Sequence, residues 1–169
     1  RLYFEKAIDG CESRVTLKSF FYPLDKLNNW NRLYGKKGFI QYQFVVPKEN
    51  GVKNLKKIIK VLLEFDIGSY LAVLKLFGKK NSNFLSFPIE GYSLALDFKK
   101  SKKLIPMISK LDNIVTEVGG KIYLTKDSLM SEKTFKKSYE KWDDFQKVRS
   151  KYHAIGKFKS TQSQRLGLE

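Results

Sequence analysis

Between Phe39 and Pro47 apolar and polar positions alternate: Ile40, Tyr42, Phe44 and Val46 fall on one side, Phe39, Gln41, Gln43 and Val45 on the other. Period two predicts a strand, closed by the proline. Over residues 51–66 the period changes. Val52, Leu55, Ile58, Ile59, Leu62 and Leu63 recur at three and four, with Lys53, Lys56, Lys57 and Lys60 opposite them, the pattern of an amphipathic helix. Gly68 ends it. Residues 70–77 (YLAVLKLF) predict a second strand, residues 78–88 a polar loop, and residues 91–98 (GYSLALDF) a third strand. Leu104, Ile108, Leu111, Val115 and Val118 then mark a helix whose first turn must hold Pro106. Gly119-Gly120 stops it, and residues 121–125 (KIYLT) predict a last strand. Upstream, residues 14–22 (RVTLKSFFY) read as an extra strand; downstream, Phe135, Tyr139, Trp142, Phe145, Val148 and Tyr152 form a helical stripe.

The order strand, helix, strand, strand, helix, strand is that of a ferredoxin-like βαββαβ unit. The expected class is therefore α+β: an antiparallel sheet with helices on one face, an extra N-terminal strand and C-terminal helices. Helices need apolar partners, so Ile40, Tyr42, Phe44, Val46, Tyr92, Leu94, Leu96 and Phe98 should lie beneath them. The opposite face gathers Gln41 and Gln43 from the first strand, Lys75 from the second, and Gly91, Ser93 and Ala95 from the third. Mid-strand amides and an ammonium are costly to bury without partners, so this face should meet water, a ligand or another domain. It is a candidate binding floor.

Charge and composition narrow the chemistry. The 169 residues carry 33 Lys plus Arg against 17 Asp plus Glu, a formal net charge of +16. Such a field concentrates anionic partners, although the 42% hydrophobic content belongs to a packed domain and not to a basic tail. Lys60 and Glu64 interrupt the longest apolar stretch, so no membrane-spanning helix is expected. A single cysteine, Cys11, and a single histidine, His153, exclude a disulfide framework within the chain and a Cys/His zinc site, and they argue against Ser-His-Asp or Cys-His catalysis. No metal site is expected. The string KGFIQYQF, residues 37–44, resembles an RNA-recognition signature, but Gln41 and Gln43 stand where stacking aromatics belong and the string lies on the wrong strand. Nucleic-acid binding is not expected from it. The chain opens at Arg1 with no apolar leader-like stretch and reads as a fragment; Leu168-Glu169 carries no motif and is left out of the functional reading.

Longer strings are more specific than any periodicity. FYPLDKLNNWNRLYG (21–35), GFIQYQFVVP (38–47), LKLFGKKN (74–81), LSFPIEGYSLALDF (85–98) and GGKIYLTKDS (119–128) resemble, in order and spacing, the C-terminal half of FAD-linked oxidases of the vanillyl-alcohol-oxidase type, in the branch that includes the decaprenylphosphoryl-ribose oxidases. The resemblance implies that residues 1–169 form a C-terminal substrate-binding or cap domain, with FAD held mainly by an N-terminal domain that this chain lacks. Gly119-Gly120 is no dinucleotide fingerprint, so the fragment alone is expected to be inactive. Carried over by residue, the resemblance implies that Lys126 is catalytic and borders the flavin, with Tyr123 beside it. It also implies that Gln41, Gln43, Lys75, Leu71, Val73, Phe77, Ser93 and Ala95 line the substrate pocket. Ser93 and Ala95 stand where the branch has Asn and Cys, and Thr161 and Gln164 where it often has Asp and Arg, so the sugar contacts should differ. The implied reaction is hydride removal from a sugar or alcohol carbinol, with a lipid-phosphate-linked pentose as the suggested substrate and a short-chain reductase as a further partner. A cytoplasmic location, peripheral to an anionic membrane, would suit such a substrate. A second reading remains open on the residues alone: a stand-alone basic module for RNA or anionic lipid.

Overall fold

The computed structural model describes residues 14–22, 25 and 28–169; Cys11 and parts of the 21–35 string lie outside them. The chain divides into two compact units, Arg1–Leu33 and Tyr34–Glu169.

In the first unit the expected strand at residues 14–22 is instead a short helix, α1 (Leu17–Phe21). Thr16 decides the outcome: its Oγ1 accepts the Ser19 N–H at 3.2 Å, a side-chain N-cap. A capped turn satisfies its backbone groups locally, which an unpaired strand cannot do. Phe20 and Phe21 meet edge to face.

The second unit contains the sheet. Strands β1 (Phe39–Pro47), β2 (Ala72–Phe77), β3 (Gly91–Lys99) and β4 (Lys121–Ile122) lie in the order β2-β3-β1-β4, each neighbouring pair antiparallel. This is the spatial order of a ferredoxin-like unit, with α2 (Gly51–Glu64) and α3 (Leu104–Glu117) as its crossovers. Pro106 is the third residue of α3, where the missing N–H costs no helical bond. β4 is shorter than residues 121–125 predict. It pairs only through Lys121 and Ile122, after which the chain turns into a 3-10 helix, Leu124–Lys126. The C-terminal stripe is broken too, giving α4 (Glu132–Ser138), α5 (Trp142–Lys151) and α6 (Thr161–Arg165). Tyr139 leaves the helical conformation at that break, and its hydroxyl donates to the Ile122 carbonyl at 2.6 Å.

The apolar face of β1 and β3 is the core. Tyr42, Phe44, Val46, Leu94, Leu96 and Phe98 are buried with Ile58 and Val61 of α2, Met107, Leu111 and Val115 of α3, and Phe135 and Tyr139. At roughly 2 kcal/mol for each large side chain buried, this cluster is the main term favouring the fold. Leu168, for which the sequence offers no role, joins it, and its carbonyl accepts from Arg149 and Gln146. Gly91 is required opposite Pro47, because a Cβ there would strike the Val46 carbonyl oxygen. No helix among the described residues is long and apolar enough to cross a membrane.

Candidate active site

Strand register brings the polar face together. Gln43 pairs opposite Ala95, Val73 stands opposite Ala95 from the other side, and Lys75 stands opposite Ser93. Five of the expected site residues therefore sit on adjacent strands, on the same side as Gln41 and Phe77. Leu71 lies just before β2, and its carbonyl accepts the Asp97 N–H at 3.1 Å. Lys75 and Leu71 are exposed, while Val73 and Phe77 are half-buried.

The floor is more enclosed at one end than its sequence suggests. Gln41 is half-buried, but Gln43, Ser93 and Ala95 are 4%, 0% and 8% exposed. The loop after β2 carries Phe87 onto this face, where it meets Phe77 edge to face at 5.8 Å and stacks on Tyr123 at 4.6 Å. Tyr123 is anchored in turn, its N–H donating to the Gln43 carbonyl at 2.8 Å. The three rings form an aromatic wall beside the glutamine strand. Lys126 ends the 3-10 turn that begins after Tyr123 and is half-buried. Its backbone N–H donates to the Tyr123 carbonyl at 3.1 Å, so it follows this wall by one turn and does not lie on a strand.

Each glutamine is fixed by its amide nitrogen. Gln43 Nε2 donates to Ser93 Oγ at 3.0 Å, and Gln41 Nε2 donates to Asp97 Oδ1 at 2.9 Å. Neither Oε1 has a hydrogen-bond partner among the described residues. The face thus presents two positioned acceptors, which suit the hydroxyl groups of a polyol.

Asp97 is the residue that the sequence reading missed. It is 3% exposed, accepts the Tyr34 hydroxyl at 2.8 Å through its second oxygen, and receives Gln41 through its first. Burial, and then the Asp97 hydrogen bond and charge, push the Tyr34 phenol up to about 12, so it stays a donor. The period-two set Gly91, Ser93, Ala95 extends directly to Asp97, and that continuation was the available signal. Because its carboxylate holds Gln41, Asp97 orients the floor without itself being open to a ligand.

This donor and acceptor set suits one side of a flat, hydrogen-bonding ring system or a sugar. The described turns contain no glycine-rich loop suited to a pyrophosphate.

Comparison with known proteins gives a consistent result. The family described as D-arabinono-1,4-lactone oxidase matches residues 37–166. Decaprenylphosphoryl-beta-D-ribose oxidase of Mycolicibacterium smegmatis is 41% identical over 167 residues, covering 99% of this chain and 36% of that protein. An uncharacterized protein in the mprA 5' region of Streptomyces coelicolor is 26% identical over 155 residues, covering 90% of this chain and 42% of its own length. The chain thus spans between about a third and two fifths of the length of these relatives.

Proposed function

Because the chain belongs to the D-arabinono-1,4-lactone oxidase family, we propose that it is the substrate-binding domain of an FAD-dependent oxidoreductase that oxidises a sugar carbinol. On this reading residues 1–169 pair with an N-terminal FAD-binding domain of the same protein. The mycobacterial relative's name supports a polyprenylphosphoryl pentose as the substrate. The observation that carries the proposal is the pair of glutamine side chains on one sheet face, each held through its amide nitrogen by a buried partner, with its carbonyl oxygen left unpaired among the described residues.

Roles follow from the side-chain chemistry. FAD, when bound, supplies the hydride acceptor. Gln41 and Gln43 accept hydrogen bonds from sugar hydroxyls and fix which carbon faces the reacting centre. Lys75, exposed on the edge strand, adds a cationic contact, and Leu71, Val73 and Phe77 supply the apolar side of the pocket. Ser93 holds Gln43, and Ala95 leaves space opposite it. The Lys126 ammonium orients the hydroxyl under oxidation and offsets negative charge as it develops, an effect that strengthens as water is excluded. Tyr123 packs the turn that carries it.

The test uses the full-length flavoprotein. Lys126→Ala should slow single-turnover reduction of the flavin by more than tenfold, about 1.4 kcal/mol or more of transition-state stabilisation. An unchanged rate would remove Lys126 from the chemistry.

A further inference from the structure

A polar cavity lies where β1 ends at Pro47 and β4 begins at Lys121. It has a volume of about 350 Å³ and four lysines on its walls: Lys80 from the loop after β2, Lys121 from β4, Lys137 from α4, and Lys141 from the start of α5. Asn81, Asn83 and the Gly119-Gly120 turn also line it.

These lysines have few partners. Lys121 Nζ donates to the Ser86 carbonyl at 2.9 Å, and Lys141 Nζ donates to the Ser82 carbonyl at 3.3 Å. Among the described residues, no carboxylate lies within ion-pair distance of any of the four. Two carboxylates do share the walls. Glu90 is engaged by Lys48 at 3.4 Å, which leaves Glu140 as the local counter-charge. Burial holds the Lys121 ammonium below its ordinary range, Glu140 opposes that shift, and Lys80 and Lys141 add to it. Ser138, 6% exposed, lines the same cavity, and its buried hydroxyl has no hydrogen-bond partner.

Like charges drawn together from four elements repel one another unless an anion offsets them. Lysine ammoniums act on phosphate as point charges without a fixed fork, and a cavity with several of them suits a compact, multiply charged oxyanion. We propose that this cavity is a binding site for a phosphate group. Lys80, Lys137 and Lys141 contact it from the exposed rim, and Lys121 closes its inner end. The site adjoins the candidate active site: Lys121 pairs opposite Val45, two residues along β1 from Gln43. The assignment rests on the lysine cavity and not on the oxidase reading.

Binding by the full-length protein, measured calorimetrically without any turnover, tests it. The first probe is inorganic phosphate. The second is a phosphatidylcholine vesicle doped with a polyprenyl phosphate, compared with one doped with the corresponding polyprenol. Lys80→Ala/Lys141→Ala should weaken phosphate or polyprenyl-phosphate binding by at least tenfold. Lys56→Ala/Lys60→Ala on α2, which removes the same charge outside the cavity, should leave it within twofold. Binding of inorganic phosphate would assign the site to free phosphate, and binding of the doped vesicle alone would assign it to a lipid headgroup. Either result supports the cavity if Lys80→Ala/Lys141→Ala weakens that binding at least tenfold, and overturns it if that variant binds as the wild type does. No binding of either probe, equal weakening by both double variants, or equal binding to polyprenol vesicles would overturn the proposal. Flavin reduction enters none of these readouts, so failure of the oxidase reading would be recognised separately.

Discussion

Replacing Asp112 by Asn should remove a pH dependence of stability that the core imposes. Asp112 lies on α3 at 4% exposure and accepts the Tyr42 hydroxyl at 2.8 Å. Burial raises its carboxyl from 3.8 to about 7, opposed by the Tyr42 hydrogen bond; Asp127 pushes it further up, and Arg165, paired with Asp127 at 2.8 Å, pulls it down. The folded state therefore holds a proton that the unfolded chain has released above about pH 4. Stability is greatest below the unfolded value and is lost as pH rises through the folded one. Between 3.8 and about 7, at roughly 1.4 kcal/mol per pH unit, the full effect is at most about 4 kcal/mol, of which about 2.5 falls between pH 5 and 8. With a urea dependence of about 2 kcal/mol per M, the wild-type midpoint should fall by about 1 M across that interval. Asp112→Asn keeps an acceptor for Tyr42 and cannot ionise, so its midpoint should be nearly flat once the residual slope from other groups is subtracted. Equal slopes in the two proteins would refute the assignment of the buried proton to Asp112.

Two substitutions probe the sheet and its polar face. Gly91→Ala forces a methyl group into the Val46 carbonyl at the β1–β3 pairing; it should cost about 3 kcal/mol or more, read as a lowered midpoint in chemical unfolding, and a loss under about 0.5 kcal/mol would show that the strand can shift at no cost. Gln43→Ala leaves Ser93 without its donor and removes one proposed ligand acceptor, so in the full-length flavoprotein substrate binding should weaken about tenfold with little change in the limiting rate of flavin reduction. An unaltered dissociation constant would exclude that contact.

Regular periodicity was legible where the core enforces it. The glutamine strand, α2, α3 and the apolar side of β3 follow directly from two- and three-to-four-residue spacing, because their inner positions fill one cluster. Residues 14–22 misled because their alternation competes with a local cap at Thr16 that a period count does not weigh. The KIYLT string misled because β4 ends after Ile122, where Tyr123 bonds back to Gln43 and the chain turns. In the candidate site, residue types and their common face could be read from the strands, but the enclosure of Gln43 and Ser93 could not. It depends on a loop that brings Phe87 to Tyr123, residues 36 positions apart in sequence. The lysine cavity was invisible for the same reason, since Lys80 and Lys141 are joined only by the fold.

The central claim is tested most directly by the visible spectrum of the full-length protein, recorded before and after anaerobic addition of a polyprenylphosphoryl pentose. The account predicts an oxidised flavin spectrum that bleaches on addition of the sugar. A full-length protein that carries no flavin and cannot be reconstituted with FAD would contradict it.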